Sequence, residues 1–117
     1  MSKRRSKKKL KESSENMTVS VMNVPPIVEK TATRLAYITH KDEDEMMELL
    51  ALPYRYDSES LTVDHYELLT ALSPFLPELR PGIRVEEFTV MLASVYFKIS
   101  MLYGKGYLSP HEIRAQF

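Results

Sequence analysis

One run of the chain constrains the fold most: residues 84–102, RVEEFTVMLASVYFKISML, form the longest stretch with an uninterrupted helical pattern. The apolar residues of this run recur at steps of three and four, which places them on one face of an α-helix. This face comprises Val85, Phe88, Leu92, Val95, Tyr96 and Ile99. Glu86 and Glu87 suit the positive end of the helix dipole, and Gly104 lies where a left-handed residue would end the helix. The pattern predicts a central helix.

A second apolar stripe runs beside the first on the same predicted helix. A helix with two apolar faces is either enclosed by its own domain or carries a surface that binds a partner. Two methionines in an earlier segment are also of the adaptable apolar kind that interfaces use. We therefore predict a protein interface made by Val90, Phe97, Met101, Met46 and Met47. Filling the core is the alternative role for each of these side chains.

Two helices are predicted at the start of the helical domain. Pro26 suits the first turn of the earlier helix. Its buried face would carry Val28, Thr31, Ala32, Leu35 and Ile38. A strand across residues 34–39 is the alternative, because several residues there are acceptable in a β-strand. The four acids at residues 42–45 favour the start of a second helix, which is predicted to continue to Leu52 and to end at Pro53.

Two further helices and one strand complete the predicted fold. Thr62 is a plausible cap for a helix that carries Tyr66, Leu69, Ala71 and Leu72. Ser109, Pro110 and Glu112 supply a cap, a first-turn proline and a capping-box acid for a short last helix. Residues 17–24 alternate apolar and polar side chains, which predicts one short strand. The predicted fold is mainly α: a small single-domain bundle of four or five helices at 27–117, preceded by an extended segment at 17–26 and a disordered basic tail at 1–16.

Length and composition allow one hydrophobic core and exclude several kinds of site. A chain of 117 residues with 44% hydrophobic content suffices for one domain. It has no cysteine, which excludes disulfides, thiolate metal sites and cysteine nucleophiles. No apolar run reaches the roughly 18 residues of a membrane span, and the charged start is not followed by the apolar stretch of a secretory signal. We expect an intracellular protein, cytoplasmic or nuclear, without a membrane partner.

The net charge of zero conceals two oppositely charged parts. Residues 1–12 hold seven of the sixteen basic groups and one of the sixteen acids, so a tail of net +6 precedes a body of net −6. The basic residues of the tail are Lys3, Arg4, Arg5, Lys7, Lys8, Lys9 and Lys11. Clustered Lys and Arg bind phosphate by releasing condensed counterions, which predicts contact with DNA or RNA that is not sequence-specific. A targeting signal, docking onto an acidic protein and a solubility tail are the alternatives.

Residues 104–113, GKGYLSPHEI, look like the second half of an EF-hand calcium loop. Gly106 stands at the turn glycine, Leu108 at the apolar position, and Ser109 and Glu112 at the ninth and twelfth positions. The first, third and fifth positions should supply oxygen ligands. They hold Met101, Tyr103 and Lys105 instead. Residues 56–67 fit the same template without its glycine. A capped helix explains both stretches more simply, and we expect no calcium site in either.

No motif in the chain predicts catalysis. His40, His65 and His111 lie far apart in sequence and lack the spacing of paired metal ligands. The chain has no nucleophile elbow, Walker loop or GxGxxG motif, and its many carboxylates are adequate as surface charges. We therefore expect neither enzymatic activity nor a metal or other cofactor.

These features predict a non-enzymatic adaptor or assembly subunit. The tail would contact nucleic-acid phosphates or an acidic partner, and the helical body would contact another protein or itself. A helix-turn-helix-like DNA-binding regulator is the first alternative, for which the last helix offers only Arg114 and Gln116. The second alternative is a structural subunit of a larger nucleoprotein assembly, in which the strand at 17–24 pairs with a neighbour.

Overall fold

A computed structural model describes residues 24–55 and 58–117. Within them the chain forms five α-helices: α1 Pro26–Thr39, α2 Glu43–Arg55, α3 Tyr66–Leu72, α4 Val85–Gly104 and α5 Pro110–Arg114. A 3₁₀ turn, Val63–His65, leads into α3. The prediction of a mainly α fold with four or five helices is confirmed. The predicted tail at 1–16 and residues 17–23 of the predicted strand lie outside the described part of the chain.

Helix α1 forms as its apolar pattern predicts, and the strand alternative at 34–39 is wrong. Pro26 occupies the first turn, where the missing amide hydrogen costs nothing. The buried residues of α1 are Val28, Thr31, Ala32, Leu35, Ala36 and Ile38. His40 ends the helix in the left-handed conformation, with φ of 61°, and Lys41 N donates to the Ala36 carbonyl at 3.0 Å. This turn reverses the chain toward α2.

Helix α2 begins at the run of acids and continues past the residue that was predicted to end it. The Asp42 carboxylate accepts hydrogen bonds from the amides of Asp44 and Glu45, at 2.9 and 3.1 Å. These bonds satisfy amide groups that lack partners within the helix. Pro53 lies inside the helix, which ends at Arg55, so the predicted end was wrong. The Pro53 ring is buried, and this apolar burial offsets the one backbone bond that a proline removes.

The segments that precede α3 and α4 are joined to each other. Ser60 and Arg84 form an isolated antiparallel bridge. Beside it, Leu61 N donates to the Ile83 carbonyl at 2.8 Å, and Gly82 N donates to the Leu61 carbonyl at 2.7 Å. Leu61 and Ile83 are both buried. The bridge therefore fixes the start of α4 against the start of α3.

Thr62 caps the 3₁₀ turn that leads into α3, whereas α3 itself begins after His65 without a side-chain cap. Thr62 Oγ1 accepts from the amide of Asp64 at 3.2 Å, and the amide of Thr62 donates to His65 Nδ1 at 2.9 Å. The buried residues of α3 are Leu68 and Leu72. Tyr66, which was predicted on the packed side, is 71% exposed. At about 100° per residue, Tyr66 lies on the opposite side of α3 from Leu68 and Leu72.

Helix α4 forms as its pattern predicts and contributes one full apolar face to the core, whereas α1 is the helix that contacts α2, α4 and α5. The buried residues of α4 are Phe88, Leu92, Val95, Ile99 and Leu102. They pack in one apolar cluster with Val28, Leu35, Ile38, Met46, Leu50, Leu68, Leu72 and Ile113. The hydroxyl of Thr31, fully buried, lies 3.3 Å from the Leu92 carbonyl and 2.7 Å from that of Ile27. A buried polar group thus has hydrogen-bond partners where α1 crosses α4.

The end of α4 differs from the prediction, whereas α5 agrees with it. Gly104 is the last residue of α4 and is not left-handed; Gly106 has a φ of 100°. Ser109 caps α5, with its side chain accepting from the amide of Glu112 at 3.1 Å. Within the described ranges, no helix combines the length and the apolar character that crossing a membrane would require.

Candidate protein interface

The second stripe of α4 is exposed to solvent. Val90 and Phe97 are each 65% exposed and Met101 is 60% exposed, whereas the residues on the core face of the helix are between 0% and 6% exposed. Ser94, between Val90 and Phe97 on the same side, is also exposed. At about 3.6 residues per turn, these four positions form one line along the helix. We call Val90, Ser94, Phe97 and Met101 the α4 stripe.

The α4 stripe carries no charge of its own. The only charged residues inside the helix are Glu86 and Glu87 in the first turn and Lys98 farther along. The Lys98 ammonium lies 4.3 Å from the centre of the Phe117 ring, on one flank of the helix. Lys105 follows directly after α4. The stripe is therefore an apolar line with charges at its two ends.

Aromatic and cationic side chains hold the other flank of the stripe in place. The Arg34 guanidinium lies 5.5 Å from the centre of the Tyr96 ring and 4.7 Å from that of Tyr103. The Tyr96 ring meets the Phe97 ring edge to face at 6.0 Å. Cation–π and edge-to-face contacts favour one arrangement of these rings. The Tyr96 ring therefore packs against the Phe97 ring, although most of the Phe97 side chain faces solvent.

The predicted interface residues divide into two groups. Val90, Phe97 and Met101 lie together on the α4 stripe. Met46 is 1% exposed and packs in the core, so its side chain has no surface on which a partner could dock. Met47 is half-buried against the same core. Met46 lies on the side of α2 that also buries Leu50, Ala51 and Pro53, and the methionine pair alone does not reveal that side.

Other exposed apolar residues escaped the sequence-based prediction. Leu108 is 61% exposed, Val63 72% and Tyr37 46%. The Tyr37 hydroxyl donates to the Leu108 carbonyl at 2.8 Å, which ties α1 to the turn before α5. Leu108 had been noted only as the apolar position of an EF-hand template. The turn at Gly106 directs it outward, and nothing in the local pattern of residues signals that direction.

The segment that resembles half of an EF-hand uses its acid for capping. Glu112 Oε1 accepts hydrogen bonds from the amides of Leu108 and Ser109, at 3.1 and 3.2 Å. These bonds, the one from Ser109 first, lower the pKa of Glu112 below its ordinary value. Throughout the residues that the structure describes, no group of three His, Cys, Asp or Glu side chains could hold a metal ion.

Two surface clefts lie away from the α4 stripe. One, of about 440 Å³, lies between α2 and α3 and has acids and bases in its wall, among them Lys41, Glu48 and Glu67. The other, of about 590 Å³, is lined in part by Tyr54 and Arg84. Burial raises the pKa of Tyr54, while its hydrogen bond to Thr89 opposes that rise.

The predicted phosphate-binding residues, Lys3 to Lys11, lie outside the described residues. The predicted interface lies within the described residues, and three of the four members of the α4 stripe are predicted from the sequence. The fourth, Ser94, lies between them without adding apolar surface. No protein-family model matches the chain, and no curated protein or solved structure matches it either.

Proposed function

We propose that the chain is a non-enzymatic interaction subunit whose helical body binds protein through the α4 stripe. The observation that carries this proposal is the exposure of Val90, Phe97 and Met101, at 60–65%, on the same helix whose other face forms the core. Isolated exposed apolar residues are common on monomers, whereas aligned ones on a supported surface are typical of binding sites.

The magnitude of the hydrophobic effect supports this function. Burying a Val, Phe or Met side chain fully is worth about 1.5–3 kcal/mol. Three such side chains in a line therefore offer a partner several kcal/mol of apolar contact. The Tyr96 and Arg34 contacts reduce the freedom of Phe97 before binding, which lowers the entropy lost when a partner docks.

In the same proposal, the basic tail contacts nucleic-acid phosphates or an acidic partner. Its net charge of +6 against −6 for the remainder favours a partner of negative charge. If all seven basic side chains contact phosphate, the affinity for duplex DNA should depend on salt with a logarithmic slope of about −6. Such contacts add affinity without reading a sequence.

One contact favours this function over the helix-turn-helix alternative. The Arg114 guanidinium donates to the Ile38 carbonyl, so it is used to hold α5 against α1. Helix α5 has five residues, and its Ile113 is fully buried. A recognition helix would instead present polar side chains to the major groove.

Photo-crosslinking tests the role of the α4 stripe. Phe97 is replaced by p-benzoylphenylalanine in the full chain, and the control places the same group at Tyr66, which is 71% exposed on α3. Irradiation in cells that express the chain should give protein adducts at position 97 and not at position 66. The absence of any adduct at position 97, or equal adducts at both positions, would contradict the proposal.

A salt series tests the role of the tail. Full-length protein and a variant lacking residues 1–12 are titrated against random duplex DNA and against single-stranded RNA. We expect steeply salt-dependent binding that is lost with the tail, and a melting temperature that changes little. Binding that is weak and unaffected by the deletion would leave an acidic protein as the partner of the tail.

A further inference from the structure

We infer that the partner of the α4 stripe is a second copy of this chain, packed with the two α4 helices antiparallel about a two-fold axis near Phe97. This inference rests on the proposed protein-binding function of the stripe. Two properties of α4 support it, namely the order of large and small residues along the stripe and the position of the charges at its ends.

The apolar residues of the stripe complement their own reversed order. Val90 and Met101 are separated by about 16 Å along the helix, at about 1.5 Å per residue. Antiparallel packing centred between them places Val90 opposite the partner's Met101. The same operation places Ser94 opposite the partner's Phe97, so that the largest side chain faces the smallest. Two helices can then approach to the usual 8–10 Å between their axes.

The charges at the two ends favour the antiparallel direction. At about 100° per residue, Glu87 and Lys105 lie on the same flank of the stripe and about 27 Å apart along the axis. Both are exposed. The two-fold operation brings Glu87 of each copy beside the partner's Lys105. Parallel packing would instead put both Glu87 side chains at one end and both Lys105 side chains at the other, so no Glu87–Lys105 pair could form. Exposed ion pairs add little affinity, so these pairs act mainly on orientation.

The size of the stripe predicts a weak and reversible dimer. Three side chains that are 60–65% exposed present on the order of 300–400 Å² of apolar surface. A standard interface buries roughly 800 Å² on each partner. An isologous contact uses the same patch on both copies, and the flanks of α4 supply the rest of its area. We therefore expect association to depend on concentration in the micromolar range or above.

Sedimentation of the full chain over a concentration series tests the dimer. The wild-type protein should shift from the mass of one chain to that of two. Phe97→Asp should remain a monomer at every concentration, because it buries a charge at the two-fold axis. The control Tyr66→Asp places the same charge on exposed α3 and should dimerise like the wild type. Thermal melts of both variants in dilute solution establish that each is folded.

Disulfide trapping tests the direction of packing. The wild-type chain has no cysteine, so any disulfide must form between the introduced residues. Val90→Cys and Met101→Cys variants are oxidised separately and as a mixture. Antiparallel packing predicts efficient cross-linking only in the mixture, since opposed positions fall within the 4.4–6.8 Å between Cα atoms that a disulfide needs. Cross-linking of Val90→Cys with itself would indicate parallel helices and overturn the inference.

The two proposals fail in distinguishable ways. A wild-type chain that stays monomeric at the highest concentration, or a Phe97→Asp variant that still dimerises, overturns the inference of a second copy. Crosslinks from position 97 to other proteins would then still support the proposed function. Crosslinks from position 97 between two copies, together with the cysteine result, would establish the antiparallel dimer as the occupant of the stripe.

Discussion

The two faces of α4 are both apolar, yet only one of them is used by the fold. Phe88, Leu92 and Ile99 are fully buried on one face, whereas Val90 and Phe97 on the other are each 65% exposed. Within the described chain, α1 packs along the first side of α4, with core side chains from α2, α3 and α5, and the second side is open. Hydrophobic character alone therefore does not place a residue in the core. Its position relative to the neighbouring helices decides that.

The two faces also contribute differently to the free energy of unfolding. The inner face removes apolar surface from water in every folded molecule, and so it contributes to stability. The apolar residues of the outer face are still exposed to water. They would contribute the same kind of free energy only if another molecule covered them. The following substitutions test this difference, from the largest expected effect to the smallest.

The largest effect is expected for Phe88→Ala. Phe88 is fully buried, and its ring centre lies 6.3 Å from that of Tyr54. Removing the ring leaves a cavity at the centre of the core, which should lower the free energy of unfolding by about 3–5 kcal/mol. Urea unfolding followed by circular dichroism measures it. A loss below about 1 kcal/mol would indicate that the Phe88 ring does not fill the core as described.

A smaller effect is expected where the flank of α4 meets α2. Thr89 donates to the Val85 carbonyl at 2.9 Å, so the Tyr54 hydroxyl donates to Thr89. Tyr54→Phe should cost about 1 kcal/mol, and a double-mutant cycle with Thr89→Val should recover most of that as coupling. Because burial raises the pKa of Tyr54, its contribution is present below the ordinary value of 10.0 and is lost as pH rises through the higher folded-state pKa. Additive effects of the two substitutions would argue against the hydrogen bond.

An effect of acid on stability is expected at Glu112. This residue lies in α5, the short helix that packs Ile113 into the core. The amides of Ser109 and Leu108 lower the pKa of Glu112, so its stabilising contribution is present above the ordinary glutamate pKa and is lost as pH falls through the lower folded-state pKa. Glu112→Gln should reduce the melting temperature slightly at neutral pH, and the difference should disappear in strong acid. Glu78→Gln, an exposed loop carboxylate, is the matched control. A difference that persists in acid would exclude this charge effect.

The smallest effect on stability is expected for Phe97→Ala, the same substitution as Phe88→Ala on the opposite face of the helix. The change in the free energy of unfolding should stay within about 0.5 kcal/mol in dilute solution, at concentrations below those expected for dimer formation. Matched urea melts of the two variants give the comparison directly. Equal destabilisation by both variants would mean that the α4 stripe is covered within the monomer.

Most of the fold could be predicted from local patterns. The apolar steps of α1 and α4, and the caps at Thr62 and Ser109, carry their information within a few residues. The end of α2 could not be predicted in this way, because the local effect of Pro53 was outweighed by tertiary packing. The turn after α4 was misplaced by two residues, since either Gly104 or Gly106 could adopt the left-handed conformation and only the packing of α5 selects between them.

The sequence predicts that the candidate site is apolar, but it does not predict that the site faces solvent. The sequence marks both stripes of α4 as apolar, and neither pattern states which one the other helices cover. Met46 shows the same difficulty, because the residue type suits an interface or a core equally well. Long-range contacts, such as that of Thr31 with Leu92, decide the matter, and they join residues that are 61 positions apart.

The turn at Gly106 requires a backbone conformation that L-residues rarely adopt. Its φ of 100° is unfavourable for L-residues, but an added Cβ would meet no atom within 4 Å. Space is therefore not the reason that glycine is required there; chirality is. An L-alanine at this position should strain the link between α4 and α5. A D-alanine, introduced by chemical synthesis, should fit the same backbone and restrict the unfolded chain, which makes this turn a site for mirror-image stabilisation.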